Sequence, residues 1–513
     1  MTRNVMRLFA ITTAFLVAAA LLFAPWTGAA PGAAGGGAPS GTLMVGLAAD
    51  PESMDPYFVY HPSGFAVMEA LFDSLVMAGW DGTLVPHLAE SWAVLDATTI
   101  EFKLREGVTF HNGEPFDAAA VQFSIERVLD ERLQSGLKAR FESIAAVEIV
   151  DPLRVRIHLS RVDASIIWRL TELAMVPPNY IRQAGDAGFA RRPVGTGPFR
   201  FVEWVRDDYV LLEANPDYFA AGVKGGPGVE RVVFRTLPED STRVAELRAG
   251  GVDLIERVPV DAAPALEGSG VRVVPADSGR FFIGWFVTDR GGPLADVRVR
   301  QALNYAMDVG TITEFLFRGY ALPIAGPFTA RTLGYDPGVA PYPYDPARAR
   351  ALLAEAGYPE GFELVLDTTA NRATEAQVIA GYLADIGVRV RIRALESSLF
   401  NTNWTTGDTG DIIAASWGAA GDPQAYLDML VRSDGFLSRY ANARADELIA
   451  RSAVTLDPDD RAAVLQELQQ VLRDDPAGLY LWSAADLYGV GPRVNNWRPH
   501  PTERLIVAGV FVE

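Results

Sequence analysis

The residue types best suited to chemistry fall in one short stretch, ASWGAAGDPQAYLDML, residues 415–430. Trp417 is a large flat ring able to stack on a ligand or grip a peptide plane. Gly418 follows it, and Asp422-Pro423 closes a glycine-rich loop whose backbone amides and carbonyls are open to a partner. These groups recognise; they do not make or break bonds. On residue types alone Trp417 could equally be a core residue and 418–423 a simple turn.

Reactive constellations are poor elsewhere. The five histidines, His61, His87, His111, His158 and His500, form no HxxxH or HExxH pair, and there is no cysteine, which removes thiolate metal sites, disulfides and a cysteine nucleophile. No G-x-S-x-G elbow or Walker A sequence occurs. Gly195-Thr196-Gly197-Pro198 suggests a phosphate cradle, but no Lys-Ser/Thr follows and the run continues into a strand pattern. The sequence therefore points to a non-enzyme without cofactor or bound metal.

The elements that must position the 415–430 stretch read as α/β. With 513 residues, 49 % of them hydrophobic, the chain can fill two or three cores. Thr99 to Leu104 alternates as a half-buried strand, and Asp117 precedes a helix over 118–129 with Val121, Ile125 and Val128–Leu129 on its apolar face. RVVFRT from Arg231, a helix ended by Gly250–Gly251, and VDLI give β-α-β, as do FELVLDT, 373–386 and 388–392. Asp345, Pro346 and Gly357 mark the cap, first turn and stop of another helix. Sixty-four acidic against 45 basic residues give a net charge of −19, which argues against nucleic acid or an anionic membrane surface as partner. Arg3 and Arg7, the apolar run Leu8 to Ala24 and the small residues through Ala30 read as a secretory signal over 1–30, followed by a flexible lead-in over 31–40.

HLAESWAVLDATTIEFKLREGVTFHNGEPFDAAAVQFSIER, His87 to Arg127, resembles a signature block of extracellular solute-binding proteins of the peptide/nickel type. Ala120 departs from the Asp usual in that block. The Met54-Asp55-Pro56 opening, the GTGPF and NPDYF segments (with Phe219 in place of Trp) and the Trp417 to Asp422-Pro423 run extend the resemblance over nearly all of 41–513. It implies a two-lobed periplasmic-binding-protein fold of type II: lobe I over 41–280 and 485–513 with an inserted α+β subdomain near 80–185, and lobe II over 281–484. It also implies a solute gripped between lobes that close on a hinge, and delivery to an ABC-transporter permease, by a monomer in the periplasm. Tyr60 and His61 stand where relatives touch ligand, and Trp285 lies near the lobe crossover. Phe281, Phe282, Trp404 and Tyr426 suggest a sizeable apolar cleft.

In peptide-binding relatives an Asp in the loop after Trp grips the peptide α-ammonium; here that place is Ala420, and the loop is one residue shorter. The resemblance thus leaves glutathione-like, modified or sugar-like ligands open, with Asp422 as a substitute anchor. Thr288 likewise replaces the family's usual Asn. Binding of a metal chelate or haem, or a chaperone or sensor role, are the alternatives to peptide-like solute capture.

Overall fold

The computed structural model describes residues 38–418 and 421–513. The expected signal over 1–30, the lead-in up to residue 37, and Ala420 lie outside the described residues. The chain forms two compact units, residues 38–276 with 486–513, and residues 277–485. The crossover comes after Ala276, ahead of the expected 280, for a reason set by pairing. Arg272–Ala276 is still hydrogen-bonded to Asp486–Val490 in the first unit, whereas Phe281–Phe286 pairs within the second.

In the first unit seven strands lie in the order Arg272–Ala276, Asp486–Val490, Leu254–Ile255, Thr42–Leu47, Arg231–Thr236, Tyr209–Ala214 and Phe199–Val205. Thr42–Leu47 runs parallel to both neighbours, Arg231–Thr236 and Leu254–Ile255. A separate four-stranded antiparallel sheet is built from Ala89–Asp96, Thr99–Leu104, Arg154–Leu159 and Ile144–Asp151. Its buried face sets Ile100 opposite Ile157 and Phe102 opposite Val155. Helix Ala118–Leu129 buries Val121, Ile125 and Val128, and Asp117 caps it by accepting from the amides of Ala119 and Ala120. Each of these apolar side chains contributes about 1.5–3 kcal/mol on burial.

The glycines of residues 195–198 permit a close approach instead of holding phosphate. Gly197 N donates to Leu71 O at 3.0 Å, and a Cβ on Gly197 would lie 2.5 Å from the Leu71 carbonyl carbon. Asp73, just past helix Pro62–Leu71, is a buried hub. It accepts from His87 Nε2 (2.8 Å), Thr196 Oγ1 (2.8 Å), Tyr218 OH (3.1 Å) and Lys224 Nζ (3.1 Å). Lys224 also pairs with Glu69 at 3.1 Å, and Arg504 closes on the other Glu69 oxygen. Burial raises both carboxyl pKa values, but the Lys224 charge above all outweighs it, leaving Asp73 well below the usual range and Glu69 at about 2.

Two histidines in this unit are held neutral. His500 Nε2 donates to Ala78 O (3.1 Å) while Nδ1 faces Thr502 Oγ1 (2.7 Å). His111 Nε2 donates to Gly197 O (3.0 Å), and its Nδ1 accepts from Gly195 N. Burial lowers both to about 4. A depressed pKa means that the folded state binds fewer protons than the unfolded one. The stability that the neutral rings confer is therefore full above the unfolded value near 6.5 and is lost as pH falls towards 4. The difference is worth about 3 kcal/mol per ring. Thermal melts from pH 7 to 4 are expected to fall steadily below 6.5, and His500→Gln should flatten that slope; an unchanged slope in the variant would contradict the assignment.

The second unit is a mixed six-stranded sheet in the order Ala321–Pro323, Gly478–Ala484, Phe281–Phe286, Ile412–Trp417, Phe362–Thr369 and Val388–Leu395. All six residues of Phe281–Phe286 are buried, because cores cover both faces of this central strand. Phe281, Ile283, Trp285 and Ile413 pack on one side with helices Ala443–Val454 and Pro458–Asp474. Phe282, Phe286, Ile412 and Ala414 pack on the other with Val297–Tyr305, Pro346–Glu355 and Ala373–Ala384. Asp345 caps Pro346–Glu355 by accepting from Arg348 N at 2.8 Å, and Gly357 takes φ +93° just beyond its end.

Candidate ligand-binding site

Strand Ile412–Trp417 runs antiparallel to Phe281–Phe286 with Trp417 opposite Phe281. Trp417 is thus the last rung on the face of the Phe281–Trp285 core, packed on one side and half-buried, and Gly418 beside it is exposed. The returning loop is stitched down at Gly421, whose N donates to Arg331 O (2.7 Å) and whose O accepts from Leu333 N (2.8 Å). Gly421 sits at φ +82°, a left-handed conformation that favours glycine. The Tyr426 hydroxyl donates to Pro327 O at 2.6 Å.

Asp422 is already occupied. Arg461 grips both of its oxygens, one at 2.9 Å, and Gln424 N donates to it at 2.9 Å, with both charged side chains buried. It shapes the loop and starts helix Gln424–Leu430. The arrangement is a half-covered flat ring at a strand end, followed by Gly421 and Asp422, which are both held by the body of the unit.

Other sequence expectations land differently. Trp285 is a core residue, 5 % exposed and edge-on to Phe281 at 6.2 Å. Phe281, Phe282, Trp404 and Tyr426 are also buried within the unit, and Trp404 Nε1 donates to Leu437 O at 3.0 Å. These rings build core, so the expected aromatic cleft reduces here to Trp417. In the first unit, Tyr60 is half-exposed while its hydroxyl accepts from Gly136 N (3.2 Å) and donates to Tyr57 O (3.3 Å). His61 caps Pro62–Leu71, its Nδ1 accepting from Gly64 N (3.2 Å) with Glu52 at 3.3 Å from Nε2. Both carry structural bonds, and Tyr60 still presents its ring.

Sequence reasoning missed Arg372. Its guanidinium lies 4.9 Å from the centre of the Phe282 ring and 3.1 Å from Glu375. Phe282 pairs with Ser416, so this cation stands one register step from Trp417, on the opposite face of the sheet. Burial, and secondarily the Arg280 charge working against Glu375, lowers the Arg372 pKa. A signal was present: Arg372 occupies the N-cap of Ala373–Ala384 with no capping bond, and a cation there opposes the helix dipole.

Two α/β units joined by two crossovers, each built on its own mixed sheet, are the architecture of a two-lobed solute-binding protein of the type II periplasmic class. The chain belongs to the bacterial extracellular solute-binding proteins, family 5, whose middle-region model matches residues 83–438. It is 30 % identical over 457 residues to the glutathione-binding protein GsiB of Pectobacterium atrosepticum, covering 84 % of this chain and 86 % of that protein. Among solved structures it is similar to the periplasmic binding protein DppA of Helicobacter pylori in complex with the peptide STSA, at TM-score 0.76 and 26 % identity, over 92 % of this chain and 98 % of that one. It is also similar to AgaA of A. tumefaciens R10 in complex with agropinic acid, at TM-score 0.75 and 28 % identity, over 92 % and 99 %.

Proposed function

We propose that this protein captures a small peptide-like solute bearing a carboxylate, glutathione being the first candidate, and hands it to an ABC-transporter permease without altering it. The half-buried Trp417, fixed at a strand end beside exposed Gly418, carries the reading: an ordered flat ring left partly uncovered suits a peptide plane. The run Leu8 to Ala24 serves as export signal, and the protein acts outside the cytoplasm. The glutathione-binding relative supports the ligand class, and the relative in complex with agropinic acid supports a compact acid as a solute for this fold.

Calorimetric titration of the full chain with reduced glutathione tests this. Trp417→Ala should weaken binding at least tenfold, about 1.4 kcal/mol or more, while moving the melting temperature little, since one side of the ring is uncovered. No heat of binding in the unaltered protein would reject glutathione, and equal binding by the variant would reject the role of Trp417.

A further inference from the structure

Glu256 follows strand Leu254–Ile255 in the first unit. It is 4 % exposed, yet no arginine or lysine pairs with it among the described residues. Its Oε1 accepts from Ala48 N at 2.7 Å and from the Ser63 hydroxyl, while Oε2 accepts nothing. Oε2 is not among the fully buried unpaired atoms, so this otherwise enclosed carboxylate keeps one oxygen that a partner from solvent can reach.

A second unpartnered group stands next to it. Leu254 pairs with Val490 and Ile255 with Gly489, and Glu256 and Tyr488 are the next residues along the two segments. Tyr488 is 5 % exposed, its ring packed against Trp497 at 5.1 Å, and its hydroxyl makes no hydrogen bond among the described residues. Asp486 shares its face of the strand, two residues away. Burial first, then the charges of Asp486, Glu256 and Glu503, hold the phenol well above its ordinary value, with Arg257 alone opposing. These groups gather at the carboxyl ends of the parallel strands Thr42–Leu47 and Leu254–Ile255, the edge at which open α/β sheets take ligands. Arg257 there adopts φ +53°, as residues at such sites often do.

We propose that Glu256 Oε2 and the Tyr488 hydroxyl form a seat for a cationic group of the solute, a primary ammonium. The ammonium donates to both oxygens and brings the missing countercharge, while Asp486 and Glu503 add long-range attraction. Ser63 and Ala48 hold the carboxylate in one orientation, so the seat is preorganised. Choosing an amine as the recognised group rests on the reading of this protein as a receptor for peptide-like solutes.

Three probes test it by calorimetry on the full chain: glutathione, glutathione acetylated on its amine, and 1,4-diaminobutane, which has no peptide. Free glutathione is expected to bind at least tenfold more tightly than the acetylated form. Glu256→Gln and Tyr488→Phe should remove that preference while leaving the acetylated form within about twofold. Tyr488→Phe keeps the packed ring and guards against a folding defect. Equal binding of free and acetylated glutathione would overturn the seat and leave the Trp417 reading intact. Binding of the diamine alone, abolished by Glu256→Gln, would uphold the seat and reject peptide-like solutes. Failure of every amine to bind would overturn both.

Discussion

Lys224→Met is expected to lower the free energy of unfolding by about 3–5 kcal/mol, the usual result of removing one partner from a buried ion pair. Lys224 is 2 % exposed and lies between two carboxylates, Asp73, which is fully buried, and Glu69, which is mostly so. Methionine fills most of the volume but leaves both acids without their main countercharge; His87 and Arg504 remain, one on each. The loss should therefore be electrostatic, and two further results separate it from a packing defect. In urea denaturation the variant should recover part of its stability as pH falls from 7 to 4, because protonation then neutralises the stranded acids, whereas the unaltered protein loses stability over the same range. The triple variant with Asp73→Asn and Glu69→Gln should be more stable than Lys224→Met alone. A single-variant loss below about 1 kcal/mol would show that the cluster contributes little.

That cluster also marks where sequence reading stops. Helix Pro346–Glu355 is legible because its signals are local: Asp345 satisfies an orphan amide, Pro346 has a preset φ, and Gly357 accepts a left-handed turn. Strand Thr99–Leu104 is legible because period-2 alternation marks one covered face. The pairing of Asp73 with Lys224 spans 151 residues of chain, and nothing near either residue announces it. The crossover is displaced from 280 to 276 for the same reason, since the last residues before it are claimed by a strand more than two hundred residues later. Trp285 and Trp417 illustrate the limit for the site. Both are tryptophans in apolar strands that are neighbours in one sheet, and only their place along the ladder decides between them. Trp285 sits mid-sheet between Ile413 and Gly478, whereas Trp417 is the last pair of its ladder. Arg372 could have been found locally, through its opposition to the helix dipole; Glu256 could not, because its defining feature is a partner that the rest of the chain fails to provide.

Asp422→Ala is expected to cost about 3–5 kcal/mol and to weaken binding through the loop, not through a lost ligand contact. Arg461 is 3 % exposed and gives two of its donors to Asp422, so the substitution leaves a guanidinium in the core with its carboxylate gone. Ser452 O still accepts from Arg461 Nε at 2.8 Å, which retains the side chain but does not neutralise it. The amide of Gln424 also loses its acceptor at the start of helix Gln424–Leu430. Both effects act on the residues from Gly421 to the start of helix Gln424–Leu430, shortly after Trp417 in the chain. An anchor that met a ligand ammonium would behave differently: removing it would cost affinity for free amines and spare stability, since the charge it left behind would be the ligand's own. The two roles separate in one comparison. Asp422→Ala combined with Arg461→Met removes the pair together, and should regain at least half of the stability lost by the single variant. If Asp422 is the loop's brace, affinity for free and acetylated glutathione should recover together in that double variant. If instead the single variant melts normally and only the free amine binds worse, Asp422 is a ligand anchor and the brace assignment is wrong.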